Sequence, residues 1–73
     1  MNRAGKDSPA IRVLRLELQL VSEAAESWTR NLATLRRRYS ESERRSVTTR
    51  IARYRAEADS LQRAIEILEA SHV

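Results

Sequence analysis

Two apolar stripes at heptad spacing constrain the fold of this chain more than any other feature. The first is Ile11, Leu14, Leu18, Val21, Ala25, Trp28, Leu32, Leu35 and Tyr39. The second is Val47, Ile51, Tyr54, Ala58, Leu61, Ile65 and Leu68, with His72 one step beyond. Alternating steps of three and four hold these side chains on one face of a slightly underwound helix, the seam of a coiled coil. Folding the chain near Glu43 opposes Tyr39 with Val47, Leu35 with Ile51, Leu32 with Tyr54, Trp28 with Ala58, Ala25 with Leu61, Val21 with Ile65 and Leu18 with Leu68. In that register the largest side chain, Trp28, meets an alanine, and Ala25 meets a leucine, as interdigitating layers require. The expectation is all-α: a two-helix antiparallel coiled-coil hairpin.

Local signals set the boundaries. Residues 1–8 read as a flexible tail that contains the single glycine, Gly5. Ser8 followed by Pro9 is an N-cap with proline in the first helical position, where its missing N–H has no intrahelical partner to lose. Helix one is expected over 9–38, a turn over 39–43 and helix two over 43–70. Ser40 and Glu43 have the spacing of a capping box, which opens the second helix. One uninterrupted helix is the alternative, because neither glycine nor proline marks the turn. Against it, eight residues rather than seven separate Tyr39 from Val47, so a continuous helix would bring Glu43 into the seam.

Seventy-three residues make one domain at most, and two helices share a single seam. A core that thin supplies about 3–5 kcal/mol, and scaffolds of this size are usually completed by disulfides, a metal or a partner. The chain has no cysteine, and His72 is its one histidine, so association remains: a homodimer, a homotetramer or a complex with another protein. No segment has the length and apolarity of a signal peptide or membrane span, which makes a cytoplasmic protein without membrane insertion the expectation. The carboxylates Glu57, Asp59, Glu66 and Glu69 lack a histidine or cysteine cluster, and no base lies near the serines. Neither catalysis, a cofactor nor a metal is expected.

Two features exceed what a hairpin needs for itself. Val13 and Leu20 occupy heptad position c, Leu16 position f and Ala24 position g of helix one; Ile67 and Ala64 take c and g of helix two. In an antiparallel pair the two g edges lie on one side, so Val13, Leu16, Leu20, Ala24, Ala64 and Ile67 form a candidate partner-binding patch. The second feature is charge. Nine arginines between Arg30 and Arg55 face only Glu41 and Glu43, leaving +7, whereas residues 56–73 carry −3. Arg36, Arg37, Arg44 and Arg45 are candidate electrostatic contacts at the tip. Cations at the end of helix one favour its macrodipole, but Arg44 and Arg45 at the start of helix two oppose theirs. A basic tip suits the phosphate backbone of RNA or DNA or an acidic protein. Tyr39 and Tyr54 lie on the seam rather than among the arginines, and no nucleic-acid docking motif is present.

The segment Leu61-Gln62-Arg63-Ala64-Ile65-Glu66-Ile67-Leu68, preceded by Glu57, resembles the end of helix two in the small co-chaperones of type III secretion needle subunits. Leu32-Ala33-Thr34-Leu35-Arg36-Arg37 is similar to the Leu-x-x-Leu and basic pair that end helix one in that family. The two segments come in the family's order and together cover about half of the chain. The connection between them is longer here and lacks the family's glycine, and Val13 and Leu16 have no counterpart. The resemblance implies a cytoplasmic hairpin that stabilises a larger tetratricopeptide-like chaperone and helps it keep the needle subunit unpolymerised. The other expectations are a dimeric four-helix bundle that binds nucleic acid through the arginine-rich tip, and a regulator that docks its patch on an enzyme or transcription factor.

Overall fold

The computed structural model describes residues 8–71, with the side chain of Arg36 excepted. Of the expected tail over 1–8, Met1 to Asp7 lie outside the described residues, as does the seam position of His72, while Ser8 caps the first helix. Helix α1 spans Pro9–Thr34, a 3-10 helix covers Arg36–Arg38, and helix α2 spans Glu41–Ala70. The two long helices pack against each other as an antiparallel helical hairpin.

Both helix starts are capped. The Ser8 hydroxyl accepts a hydrogen bond from the Ile11 N–H at 3.2 Å, with Pro9 opening the first turn. At α2 the capping box is complete. The Ser40 hydroxyl accepts from the Glu43 N–H at 3.1 Å, and the Glu43 carboxylate accepts from the Ser40 N–H at 2.8 Å. Each such cap satisfies amides that the first turn leaves without partners, and losing one costs about 1 kcal/mol.

Helix α1 closes at Thr34, short of the expected end at Arg38. Leu35 is its C-cap, with φ −106° and ψ 21°, and donates to the Asn31 carbonyl at 2.8 Å. The three arginines that follow tighten into the 3-10 helix, closed by the Arg38 N–H on the Leu35 carbonyl at 2.8 Å. The extended backbone of Ser40, φ −68° and ψ 168°, then turns the chain into α2. A run this short needs no glycine, because a 3-10 turn reverses the chain with ordinary right-handed dihedrals. Among the described residues none has a positive φ.

Contacts between the helices decide the register. The Arg50 guanidinium lies over the Trp28 ring, 5.0 Å from its centroid. Arg55 donates to the Thr29 hydroxyl at 3.3 Å, and Arg15 pairs with Glu69. Near the tip, Thr29, Leu32 and Ala33 share a groove with Arg44, Arg45, Thr48 and Thr49. A fold at Glu43 would put Ala58 opposite Trp28, leaving Arg50 about 12 Å away along the helix axis. It would also leave Ile11 beyond the end of α2, yet Ile11 is 0% exposed.

Moving α2 by one heptad brings Arg50 level with Trp28 and covers Ile11, while Arg15–Glu69 and Arg55–Thr29, five residues out of level, are spanned by their long side chains. Ile11 then opposes Leu68, Leu14 opposes Ile65, Leu18 opposes Leu61, Val21 opposes Ala58, Ala25 opposes Tyr54, Trp28 opposes Ile51 and Leu32 opposes Val47. This corrects the expected pairing, including Trp28 with Ala58 and Ala25 with Leu61. The cause is the position of the turn. With α1 ending at Thr34 and α2 starting at Glu41, the chain reverses through Arg36–Arg38 rather than near Glu43. Every layer but Leu18–Leu61 has one buried member, drawn from Ile11, Val21, Ala25, Val47, Ile51 and Ile65. Alternation of large and small survives the shift, since Ala25 now accommodates Tyr54 and Ala58 accommodates Val21. Leu35 falls outside the seam: it follows the last residue of α1 and is 38% exposed.

Candidate functional site

Two surfaces stand apart from the seam, one at each end of the hairpin. At the open end, Val13, Leu16, Leu20 and Ile67 are 64%, 57%, 54% and 67% exposed. They are exposed because the heptad places them away from the partner helix while the a and d positions are spent on the seam. Ala24 and Ala64 sit at the g edges and are half-buried. The one-heptad shift changes which of these residues are level. Ile67 now lies beside Val13 and Ala64 beside Leu16, which gathers the aliphatic surface closer to the start of α1. Ala24 is then the member farthest from the group.

Opposite this edge the e positions are polar. Arg15 pairs with Glu69 there, and Arg55 donates to Thr29 further along. Two polar bridges therefore cross the e flank, at Arg15–Glu69 and Arg55–Thr29, while Val13, Leu16, Leu20 and Ile67 present aliphatic side chains to solvent. Four large aliphatics are exposed here, and a contiguous apolar surface is the kind of feature from which an interface can be proposed.

The tip is cationic. Arg30, Arg37, Arg38, Arg45, Arg50, Arg53 and Arg55 are exposed, and Arg44 is half-buried. Of the four arginines expected as electrostatic contacts, Arg37 and Arg45 face solvent. Arg44 turns back along the chain and donates to the Tyr39 carbonyl at 3.3 Å. Arg36 lies in the 3-10 helix, and its side chain is outside the described residues. The helix macrodipole explains less of this charge than expected, since Arg36–Arg38 follow the last turn of α1 and that turn carries no basic residue. At the start of α2, Glu41 offsets Arg45 through an i, i+4 ion pair at 3.3 Å, and Glu43 is committed to the capping box.

Between the helices at the tip lies an open groove of about 770 Å³ lined by Thr29, Leu32, Ala33, Glu41, Arg44, Arg45, Thr48 and Thr49. Its walls are the last turns of α1, through Thr29, Leu32 and Ala33, and the first turns of α2. Two of its hydroxyls are occupied: Thr29 donates to the Ala25 carbonyl at 2.7 Å and Thr48 to the Arg44 carbonyl at 2.8 Å. No group of three His, Cys, Asp or Glu side chains that could hold a metal occurs among the described residues. Nor is any helix long and apolar enough to cross a membrane.

No family model, curated protein or solved structure matches the chain. What sequence reasoning missed is the use of α2's arginines against α1. Arg50 at g stacks on Trp28, and Arg55 at e reaches Thr29. Both were legible as flanking positions of the heptad, but only once the register was known.

Proposed function

We propose that this chain is a non-enzymatic protein-binding hairpin that docks through the aliphatic surface of its open end. The observation that carries the reading is the exposure of Val13, Leu16, Leu20 and Ile67 on a scaffold whose own seam is already complete. Burying them would remove apolar area that a hairpin with about 3–5 kcal/mol of core stability cannot cover by itself. The resemblance to the needle-subunit co-chaperones supplies a concrete partner: a larger tetratricopeptide-like chaperone in the cytoplasm that holds the needle subunit unpolymerised. Ile67 belongs to the resembling segment and to the exposed surface at once, which supports joining the two.

The test is capture from a lysate of the native host with the wild-type protein and with Leu20→Asp combined with Ile67→Asp. The expected result is that the wild type retains a tetratricopeptide-like chaperone with a needle subunit. The double variant should retain neither while circular dichroism still reports helix. A wild-type protein that captures neither protein overturns the co-chaperone reading. Unchanged capture by the double variant overturns the assignment of the surface. Light scattering of the isolated protein separates the remaining possibility, because a homodimer lost in the same variant would assign the surface to self-pairing.

A further inference from the structure

We infer that the outer face of α2's first half is a sequence-independent binding surface for the phosphate backbone of nucleic acid. It lies at the opposite end of the hairpin from the aliphatic surface and is independent of it. Two neighbouring rows at steps of three and four, Arg45, Thr49, Ala52 and Ala56 beside Ser46, Thr49, Arg53 and Ala56, share the outer face of the helix, and all six residues are exposed. Arg45 and Arg53 are separated by about 12 Å along the helix axis. The residues between them are small, so a partner can approach the backbone closely. Arg37 and Arg38 extend the same charge onto the 3-10 helix. Arg37, Arg38 and Arg53 make no ion pair with the described residues, whereas Arg45 holds Glu41 at 3.3 Å and exchanges that exposed partner for a phosphate on binding.

The make-up of this face selects the class of partner. A protein interface has an apolar centre anchored by large side chains, with charged residues depleted there. This face has nothing apolar larger than alanine. Interfaces with nucleic acid are more polar and far more positively charged, and arginine with serine or threonine hydroxyls is the set that contacts phosphate oxygens. The two tyrosines nearby are half-buried, Tyr54 in the seam and Tyr39 at the turn, and neither is on this face. Bases therefore have no aromatic platform here, and binding is to the backbone without sequence preference.

The experiment is fluorescence anisotropy of the full chain with a labelled DNA duplex and the matching RNA duplex, titrated from ~50 to ~200 mM salt. Four phosphate contacts give a slope of log K against log salt of about −3.6, a loss of about 150-fold over that range. Arg45→Gln with Arg53→Gln should reduce the slope by about 2, whereas Arg63→Gln, on the acidic part of α2, should leave it unchanged. Circular dichroism checks the fold, and if the double variant loses helix the single Arg53→Gln variant carries the test with a slope change of about 1. No binding at the low-salt end overturns the inference, as does a slope indifferent to Arg45 and Arg53. A polyglutamate peptide that competes as well as either duplex also overturns it, in favour of an acidic protein.

Discussion

Where α1 begins and α2 ends, Ile11 is entirely buried, whereas at the tip, where the chain is continuous, Leu35 is 38% exposed. Covalent continuity would suggest the reverse, with the turn holding the helices together and the free ends fraying. The contrast shows that the layers, not the connection, set the packing. Ile11 has Leu68 opposite and the Arg15–Glu69 bridge beside it. Leu35 sits one residue past α1, at the level of Arg44, where α2 offers a polar side chain in place of an apolar one. The same contrast runs through the outer surfaces, which are aliphatic at the tight end and cationic at the loose one.

The open end depends most heavily on Ile11. Replacing it with alanine should cost about 2–5 kcal/mol, as for other fully buried isoleucines. That is most of what a two-helix seam provides, so urea unfolding of Ile11→Ala should leave little or no folded baseline. Leu35→Ala should stay within about 1 kcal/mol, since its side chain is already partly solvated. If Leu35→Ala proves the more damaging of the two, the tip rather than the open end holds the hairpin.

Disulfide capture sharpens the register. Cysteines replacing Val21 and Ala58, which face each other, should cross-link on oxidation. Cysteines replacing Val21 and Ile65 are a full heptad out of step, about 10 Å along the axis, and should remain reduced. The opposite result would restore a fold point near Glu43.

That register is the part of the fold that heptad reading could not reach. Spacing alone identified the seam residues, and all the described ones except Leu35 are buried or half-buried. A heptad stripe, however, is nearly unchanged by a seven-residue slip, so apolar pattern cannot distinguish neighbouring registers. What distinguishes them is the position of the turn, and the sequence does carry it: Ser40 and Glu43 start α2 at Glu41, which forces the reversal upstream through Arg36–Arg38. The exposure of Val13, Leu16, Leu20 and Ile67 was legible for the same reason as the seam, because c and f positions point away from it. Which of them stand level was not, since that depends on register. The groove at the tip was equally hidden, as the level of Thr29, Leu32 and Ala33 against Arg44, Arg45 and Thr48 also depends on register.

The caps at the two ends provide a smaller test. Ser8→Ala and Ser40→Ala each remove one side-chain acceptor and should cost about 1 kcal/mol. The second should cost more, because it dismantles half of a reciprocal pair and leaves the Glu43 carboxylate holding the Ser40 N–H alone. Thermal unfolding of the two variants side by side measures the difference. Equal losses would mean that the capping box contributes no more than the simple cap.

The smallest expected effects distinguish ion pairs of different kinds. Arg15–Glu69 joins the helices at the open end, and Arg45–Glu41 lies within α2 at the tip. Arg15 and Glu69 are 53% and 34% exposed at the side chain, against 77% and 74% for Arg45 and Glu41. Double-mutant cycles to glutamine should give a coupling toward the upper part of the 0.2–1 kcal/mol range for the first pair, and about 0.3–0.5 kcal/mol for the second. Both should shrink in high salt, the more exposed pair more completely. The pairs differ further in what they can report. Arg45 and Glu41 meet in any register, because one helix holds both. Arg15 and Glu69 come from different helices, so a measurable coupling between them is also evidence that the helices pack together at the open end. A coupling of zero there, with the tip pair intact, would mean that the bridge merely lies over the seam and that Ile11 alone keeps the open end closed.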